Sequence, residues 1–419
     1  MFTKPADTPH GPSRTGGYSI RAGPRLRRKR GGRMGQPTTA ELSKDLGGFA
    51  LWPDNVFWSF QFLRLAGQAY AGGADFTECY LAVRDVQAGD VDTWHARFTA
   101  LATDLERRAE REAAEGHPVS ARDSWLRASN YYRAGAFFYP VPDPRHAAAI
   151  EARRRCFLAY AEHADHEIER VEVPYGDETL PGYRFAPSAD VPRPTPALVI
   201  FGGADAVAEE MYIFLGRALT ERGFTVLAID GPGQGEALRR GMLARHDTEV
   251  PVGAAVDWLQ ARPGVDPERI GVVGQSLGGY YAPRAAAFDP RLKACVVWGA
   301  CYAVPMPDAV PPDDPTFTHR LEHEKAIFGG ETLEEVKKRV APFTLEGVAE
   351  RIGCPILILH GESDTLIPLE DARRLHREVP HDDKRLIIYP SGQPGCTHCQ
   401  VDALSVVHHD IGDWLERVL

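Results

Sequence analysis

The pentapeptide Gly274-Gln275-Ser276-Leu277-Gly278 follows the apolar run Ile270-Gly271-Val272-Val273 and precedes small and helix-forming residues. A strand, a sharp turn and a helix are the setting in which a G-x-S-x-G serine acts as a nucleophile. The spacing has a steric basis: Ser276 must hold an unfavourable φ/ψ at the turn, and Gly274 and Gly278 remove side chains that would collide there. A serine hydroxyl is a weak nucleophile, so it needs a base and an acid that orients the base, further along the chain in the order Ser, Asp or Glu, His. Both are present. The β-rich run 355–359 leads into His360-Gly361-Glu362-Ser363-Asp364, and the run ending at Tyr389 leads into a loop containing Cys396-Thr397-His398-Cys399. Asp364 is the expected acid and His398 the expected base.

The competing residues fit less well. His360 precedes the acid and reads as structural, while Glu362 sits shallower in its loop than Asp364. His408 and His409 fall in a helix predicted over 401–419, where a solvent-facing role is expected. Cys396 and Cys399 form one C-x-x-C around His398, but a single pair lacks the further ligands of a zinc site, so no metal is expected.

Attack by Ser276 puts charge on a carbonyl oxygen, which backbone N–H groups must receive. The Leu277 N–H is one expected donor, and Gly203 or Ala204, in the loop after the run 197–201, supplies the other. The sequence Asp230-Gly231-Pro232-Gly233-Gln234-Gly235-Glu236 is glycine-rich but has neither the Lys-Ser/Thr of a phosphate loop nor the G-x-G-x-x-G spacing. It reads as a tight strand-to-helix turn beside the site.

The elements that position these residues follow from periodicity. From about 38 to 166 the pattern is helical, with Trp94, Phe98, Leu101 and Leu105 on one stripe. A helix over 120–138 is predicted with Ser120 as its N-cap and Trp125, Ser129 and Tyr132 on one face, and Pro140, Pro142 and Pro144 break the chain before a helix over 145–163. Beyond residue 167, β-rich runs at 169–174, 182–186, 197–201, 225–229, 270–273, 294–298, 355–359 and 384–389 alternate with helical segments from about 207 onward. That alternation implies βαβ units and a mostly parallel sheet, its first two strands antiparallel. Residues 303–345, Pro-rich and then helical over 333–340, read as a lid inserted over the sheet edge.

The chain has 419 residues, 43% hydrophobic and 25% charged, with a net charge of −10, which excludes a disordered or fibrous protein. No apolar run is long enough to span a membrane. Seven scattered cysteines form no secreted disulfide framework, so a reducing, cytoplasmic location is expected. Residues 1–34 carry nine Lys or Arg against Asp7 alone, so the remainder is strongly acidic and opposes nucleic-acid binding. Residues 1–37 are expected to be a disordered basic leader, and a start at Met34 would leave most of it untranslated.

The helical region, then Gly202-Gly203-Ala204-Asp205 with Glu209-Glu210 behind it, then the Asp-Gly-Pro-Gly-Gln-Gly-Glu segment, then Gly-Gln-Ser-Leu-Gly-Gly, resembles one branch of the α/β-hydrolases. It is similar to the group containing 2,6-dihydroxypseudooxynicotine hydrolase, the fermentation-respiration switch proteins and fungal polyketide-shortening hydrolases. The resemblance covers about residues 40–419 and implies an α/β-hydrolase fold with an N-terminal all-helical cap domain at 38–166 and a catalytic domain at 167–419. It implies Ser276, Asp364 and His398 as the triad, a homodimer, no cofactor, and cleavage of an ester, a lactone or a carbon–carbon bond beside a carbonyl. The expected partner is a small-molecule substrate, with neither nucleic acid nor membrane. Tyr131, Tyr132 and Phe137, in an aromatic cluster of the cap, are candidate substrate contacts, and Trp52, Phe57, Trp58, Phe60 and Phe62 form a second cluster. Two other readings remain open: a serine peptidase with the same triad, and a non-catalytic binding protein on the same scaffold.

Overall fold

The computed structural model describes residues 49–141, 143–306 and 315–419, with the side chains of 315–318 and 320 excepted. The basic leader, Pro142 and part of the 303–345 insertion lie outside the described residues.

Among the described residues five α-helices precede the sheet: α1 Val56–Gly67, α2 Phe76–Val83, α3 Val91–Ala114, α4 Pro118–Ala136 and α5 Pro144–Ala161. Asn55, Asp75, Asp90 and Asp143 each accept first-turn backbone N–H groups with their side chains, which fixes four of the starts. α4 corrects one expectation. Ser120 lies inside it, and the helix opens at Pro118, whose fixed φ and missing N–H suit the first turn without a side-chain cap. The apolar stripe of α3 is buried at Trp94, Phe98, Ala102 and Leu105, and Trp58 of α1 stacks on Phe138 with ring centroids 4.3 Å apart.

The rest is one eight-stranded sheet. In chain order come β1 Ile168–Tyr175, β2 Glu178–Phe185, β3 Thr195–Phe201, α6 Ala208–Met211, a π-helical turn at Tyr212–Gly216, α7 Arg217–Glu221 and β4 Thr225–Ile229. Then follow α8 Gly235–Arg239, α9 Glu249–Gln260, β5 Val265–Gln275, α10 Gly278–Phe288, β6 Leu292–Trp298, α11 Pro315–Phe328 and α12 Leu333–Val340. The chain ends with β7 Ile356–Gly361, α13 Leu369–Glu378, β8 Lys384–Tyr389 and α14 Leu404–Val418. The spatial order is β1-β2-β4-β3-β5-β6-β7-β8, antiparallel through β1, β2 and β4 and parallel from there on. The order reverses around β3, the switch point at which open α/β sheets form their sites.

Period-two alternation splits the strand residues between two apolar layers. Leu198 and Ile200 of β3 join Val273, Val296 and Trp298 in a layer shared with Trp58, Phe62 and Tyr131 of the helical region. Ala197, Val199 and Phe201 face the opposite layer with α9 and α10. The first five helices thus complete one face of the sheet, and all described residues fall in one compact unit.

A buried ionic cluster joins α1 and α4 to the loop after β3. The Arg64 guanidinium donates Nε and Nη2 to the Glu210 carboxylate at 3.1 and 2.6 Å, and Nη1 to Asp205 at 2.6 Å. Gln68 adds a bond to Glu210 at 2.9 Å, and Arg133 of α4 lies 3.2 Å from the same carboxylate. Burial works against the Arg64 charge, but Asp205 and Glu210 raise its pKa above the ordinary value. Arg64→Met would leave Asp205 and Glu210 inside with Arg133 as the remaining arginine against both. The expected loss is about 3–5 kcal/mol of unfolding free energy, read as a lowered urea midpoint.

Candidate active site

Ser276 sits between β5 and α10 with φ +57°, the left-handed conformation that the sequence pattern requires. A Cβ on Gly274 would lie 1.8 Å from the Gly278 carbonyl oxygen, and one on Gly278 would lie 2.9 Å from the carbonyl oxygens of Phe201 and Gly202. Both positions exclude any side chain. The Ser276 N–H donates to the Trp298 carbonyl at 2.8 Å, which ties the turn to the end of β6.

The loops after β7 and β8 bring the other two residues to it. His398 Nε2 is 2.9 Å from Ser276 Oγ, and His398 Nδ1 is 2.7 Å from Asp364 Oδ2. Asp364 Oδ1 accepts the backbone N–H groups of Leu366 and Ile367 at 2.8 and 2.9 Å, so the carboxylate is held at both oxygens. Burial raises the Asp364 pKa, but the neighbouring His398 outweighs it and holds the acid below the usual carboxylate range. For His398 burial disfavours the charge, yet Asp364 and Cys399 raise its pKa well above the ordinary imidazole value.

The competitors are elsewhere. His360 is fully buried, its Nε2–H donating to the Ile367 carbonyl at 3.1 Å, and its Nε2 lies 3.7 Å from Asp364 Oδ2. Exposed Glu362 accepts from the Ser391 backbone N–H. His409 is exposed, whereas His408 is buried, Nε2 donating to the Phe214 carbonyl at 2.6 Å. The expectation of a solvent-facing His408 is therefore corrected: α14 packs that face against the π-helical turn. None of the seven cysteines, all of them within the described residues, forms a disulfide. Cys399, with φ +50°, places Sγ 3.4 Å from His398 Nε2 and 3.5 Å from the Trp298 carbonyl oxygen.

A cavity of about 180 Å³ opens over Ser276. Gly203, Ala204 and Leu277 line its floor, and a Cβ on Gly203 would come within 3.0 Å of the Ser276 Cβ. The loop is braced by a residue that the sequence reading took only for part of a tight turn. Gln234 Nε2 donates to the carbonyl oxygens of Gly202 and Gly203 at 2.7 and 2.8 Å, while its Oε1 accepts the Gly231 N–H at 3.3 Å. Its place in a glycine-rich turn after β4, the strand beside β3, was the available signal. Asp230 completes the brace by accepting the N–H groups of Ala208 and Glu236, each at 2.8 Å; burial and then Glu209 push its pKa up to about 7.

Phe57, Phe60, Phe137, Phe214, Phe328 and Leu366 form apolar walls, and Gln61, Arg64, Asp205, His319, His323 and Glu324 add polar groups. Phe137 is the one named candidate that lines the cavity. Tyr131 and Tyr132 do not. Both are buried within the helical region, Tyr131 OH donating to Glu78 and Tyr132 OH to Glu106, each at 2.8 Å. A phenol between neighbouring helices satisfies its hydroxyl locally, which sequence clustering does not reveal. Of the other cluster, Phe57 and Phe60 reach the cavity while Trp52, Trp58 and Phe62 pack inside. α11, absent from the sequence reading, roofs the cavity with His319 5.6 Å from the Phe137 ring, so the insertion meets the helical region directly.

Comparison with known proteins gives this geometry its relatives. The esterase FrsA-like family model matches residues 91–309, and the prolyl oligopeptidase family model matches residues 212–419. Hydrolase acrC of Aspergillus aculeatus is 31% identical over 88% of this chain and 98% of its own length. The 20-hydroxy-prefusarin hydrolase of Gibberella moniliformis is 31% identical over 86% of this chain and 96% of its own. The crystal structure of 2,6-dihydroxy-pseudo-oxynicotine hydrolase superposes with a TM-score of 0.73 at 29% identity, covering 84% of this chain and 95% of that one. Among the described residues no helix is long and apolar enough to cross a membrane. With its switch-point serine, its eight-stranded sheet and these full-length relatives, the chain belongs to the esterase FrsA-like family and is a hydrolase of the α/β-hydrolase superfamily.

Proposed function

We propose that the protein is a serine hydrolase that cleaves an ester, a lactone or a carbon–carbon bond beside a carbonyl in a small aromatic or polyketide-like substrate. The observation that carries this reading is the Ser276–His398–Asp364 relay, with contacts of 2.9 and 2.7 Å at the floor of a largely apolar cavity. Two relatives are named for hydrolysis of 20-hydroxy-prefusarin and 2,6-dihydroxy-pseudo-oxynicotine, which supports a small-molecule substrate.

In this reading His398 Nε2 takes the Ser276 proton as Oγ bonds to the carbonyl carbon and the carbonyl electron pair moves onto oxygen. The Leu277 N–H and an N–H of Gly203 or Ala204 receive that oxyanion. Its collapse breaks the scissile bond, and His398 returns the proton to the departing alkoxide or conjugated carbanion. Water, deprotonated by His398, then releases the acid from Ser276. Gln234 acts on this chemistry through position, since it holds the Gly202 and Gly203 carbonyls and so fixes where the loop's N–H groups point.

A fluorophosphonate probe should label the wild type and leave Ser276→Ala unlabelled, with kcat lowered on the order of 10⁶-fold; equal labelling of both would remove the nucleophile assignment. Products identified by mass from matched aromatic lactones, esters and β-diketones then decide the bond. An acid with an alcohol means C–O cleavage, and an acid with a ketone means C–C cleavage. Because the base must be neutral and Asp364 stabilises its charged form, kcat/KM should fall as pH drops through a midpoint above the ordinary imidazole value. That midpoint should move down in Asp364→Asn. Gln234→Leu should lower kcat by up to about 10²-fold with KM little changed; a loss confined to KM would place Gln234 outside the oxyanion site.

A further inference from the structure

A second, smaller cavity of about 50 Å³ adjoins the first, sharing Phe137, Asp205 and His323 with it. Four buried side-chain nitrogens without a hydrogen-bond partner among the described residues belong to residues that line it: Arg133 Nη2, Arg153 Nε, His146 Nδ1 and His323 Nε2. Such concentration is unusual, because buried polar atoms are nearly always satisfied and an unmade bond leaves the cost of desolvation uncompensated. Arg133 and Arg153 are 9% and 5% exposed, so bulk water does not serve their guanidinium groups.

The two arginines fix the sign of a ligand. A guanidinium only donates, so the matching atoms must be acceptors, and a carboxylate offers two in a plane. The histidines adapt. The His323 ring already hydrogen-bonds the Ala204 backbone carbonyl, which leaves Nε2 as a lone pair in the neutral ring or a donor once an anion draws a proton to it. Burial and the neighbouring Arg153 hold His146 down at about 4, so it too enters as an adaptable neutral ring. Acidic neighbours do not fill the need. Asp205 lines the cavity but is engaged by Arg64 at 2.6 Å and stands 3.6 Å from Arg133 Nη2, Glu210 stands 3.2 Å from Arg133 Nη2 out of hydrogen-bond alignment, and Glu209 faces Arg153 Nη2 at 3.3 Å with an Oε2 that likewise makes no hydrogen bond. Burial and then Arg64 lower the Arg133 pKa to about 10, although Glu210 and Asp205 act to raise it.

We propose that this cavity is a carboxylate subsite of the catalytic cavity, taking the acidic end of an extended substrate whose reacting carbonyl lies at Ser276. The proposal rests on the small-molecule reading above and adds a charge to the substrate class. It also gives occupancy a route to the reacting end, since His323 joins the subsite to Ala204.

The test uses mono-4-nitrophenyl esters of linear dicarboxylic acids of increasing length, each beside its neutral methyl ester. For the length that spans both cavities the acid should be preferred about ten- to hundredfold in kcat/KM. The preference should fall to about one in Ile150→Phe, which fills the cavity without altering charge and leaves the neutral ester's rate in place, and it should fall likewise in Arg133→Gln. In Ser276→Ala the matching monomethyl dicarboxylate should raise the melting temperature and the dimethyl ester should not, with the shift lost on adding Ile150→Phe. Equal rates for acid and methyl ester together with no thermal shift would overturn the subsite while leaving the hydrolase reading intact. A thermal shift without turnover of any ester would keep the subsite and sink the assigned substrate class. Acetate giving the same protection and slowing acidic and neutral esters alike would mark a site for a free carboxylate and overturn the substrate-end assignment.

Discussion

The turn from β5 to α10 sets the terms for everything around it. Ser276 is held at φ +57° in a junction where Gly274 and Gly278 touch backbone to backbone, a conformation that costs about 1–3 kcal/mol and persists only when the surroundings over-determine it. They do so here through parallel pairing of β5 with β3 and β6, and through the Ser276 N–H to Trp298 carbonyl bond. Among the described residues the other non-glycine positive φ values are at Cys399 and Gln400, directly after His398. Among the described residues, left-handed backbone outside glycine is thus gathered at Ser276 and directly after His398, whose ring faces it.

Around that junction, polar groups hold loops that apolar packing alone would leave free. Gln234 and Asp230, both from the turn after β4, brace the segment after β3 by its carbonyls and by the start of α6. From the other side Arg64 clamps Asp205 and Glu210 of the same segment. The segment carrying Gly203 and Ala204 is therefore gripped by the sheet below and the helical region above. Changes in the helices can reach Gly203 and Ala204 without touching substrate. Buried ion pairs are weak contributors to net stability, so their value here lies in fixing one arrangement of helices over sheet.

The cavity follows from the same division. Its apolar walls come from α1, the end of α4, the π-helical turn, α11 and the loop after β7, five segments remote in sequence, and its floor comes from the C-terminal ends of β3, β5, β7 and β8. A wall drawn from so many places can change its lining with little effect on the floor, which fits relatives named for different substrates.

The sequence by itself determined the parts whose physics is local. All eight strands could be read from β-rich runs between turn signals, the nucleophile turn from two glycines at fixed spacing, and Asp364 and His398 from their places at the ends of strand-like runs. These features depend on backbone sterics and period-two patterning within a few residues. Tertiary structure decided whatever depends on which face a side chain shows to a distant element. Tyr131 and Tyr132 turned inward to Glu78 and Glu106 while Phe57 and Phe60 turned to the cavity, and His408 was buried against the π-helical turn. Gln234, Arg64 and the nitrogens of the second cavity acquired partners or lacked them only once strands and helices far apart in the chain had packed. Hydrogen bonding and burial are properties of pairs, and a linear pattern carries only one member of each.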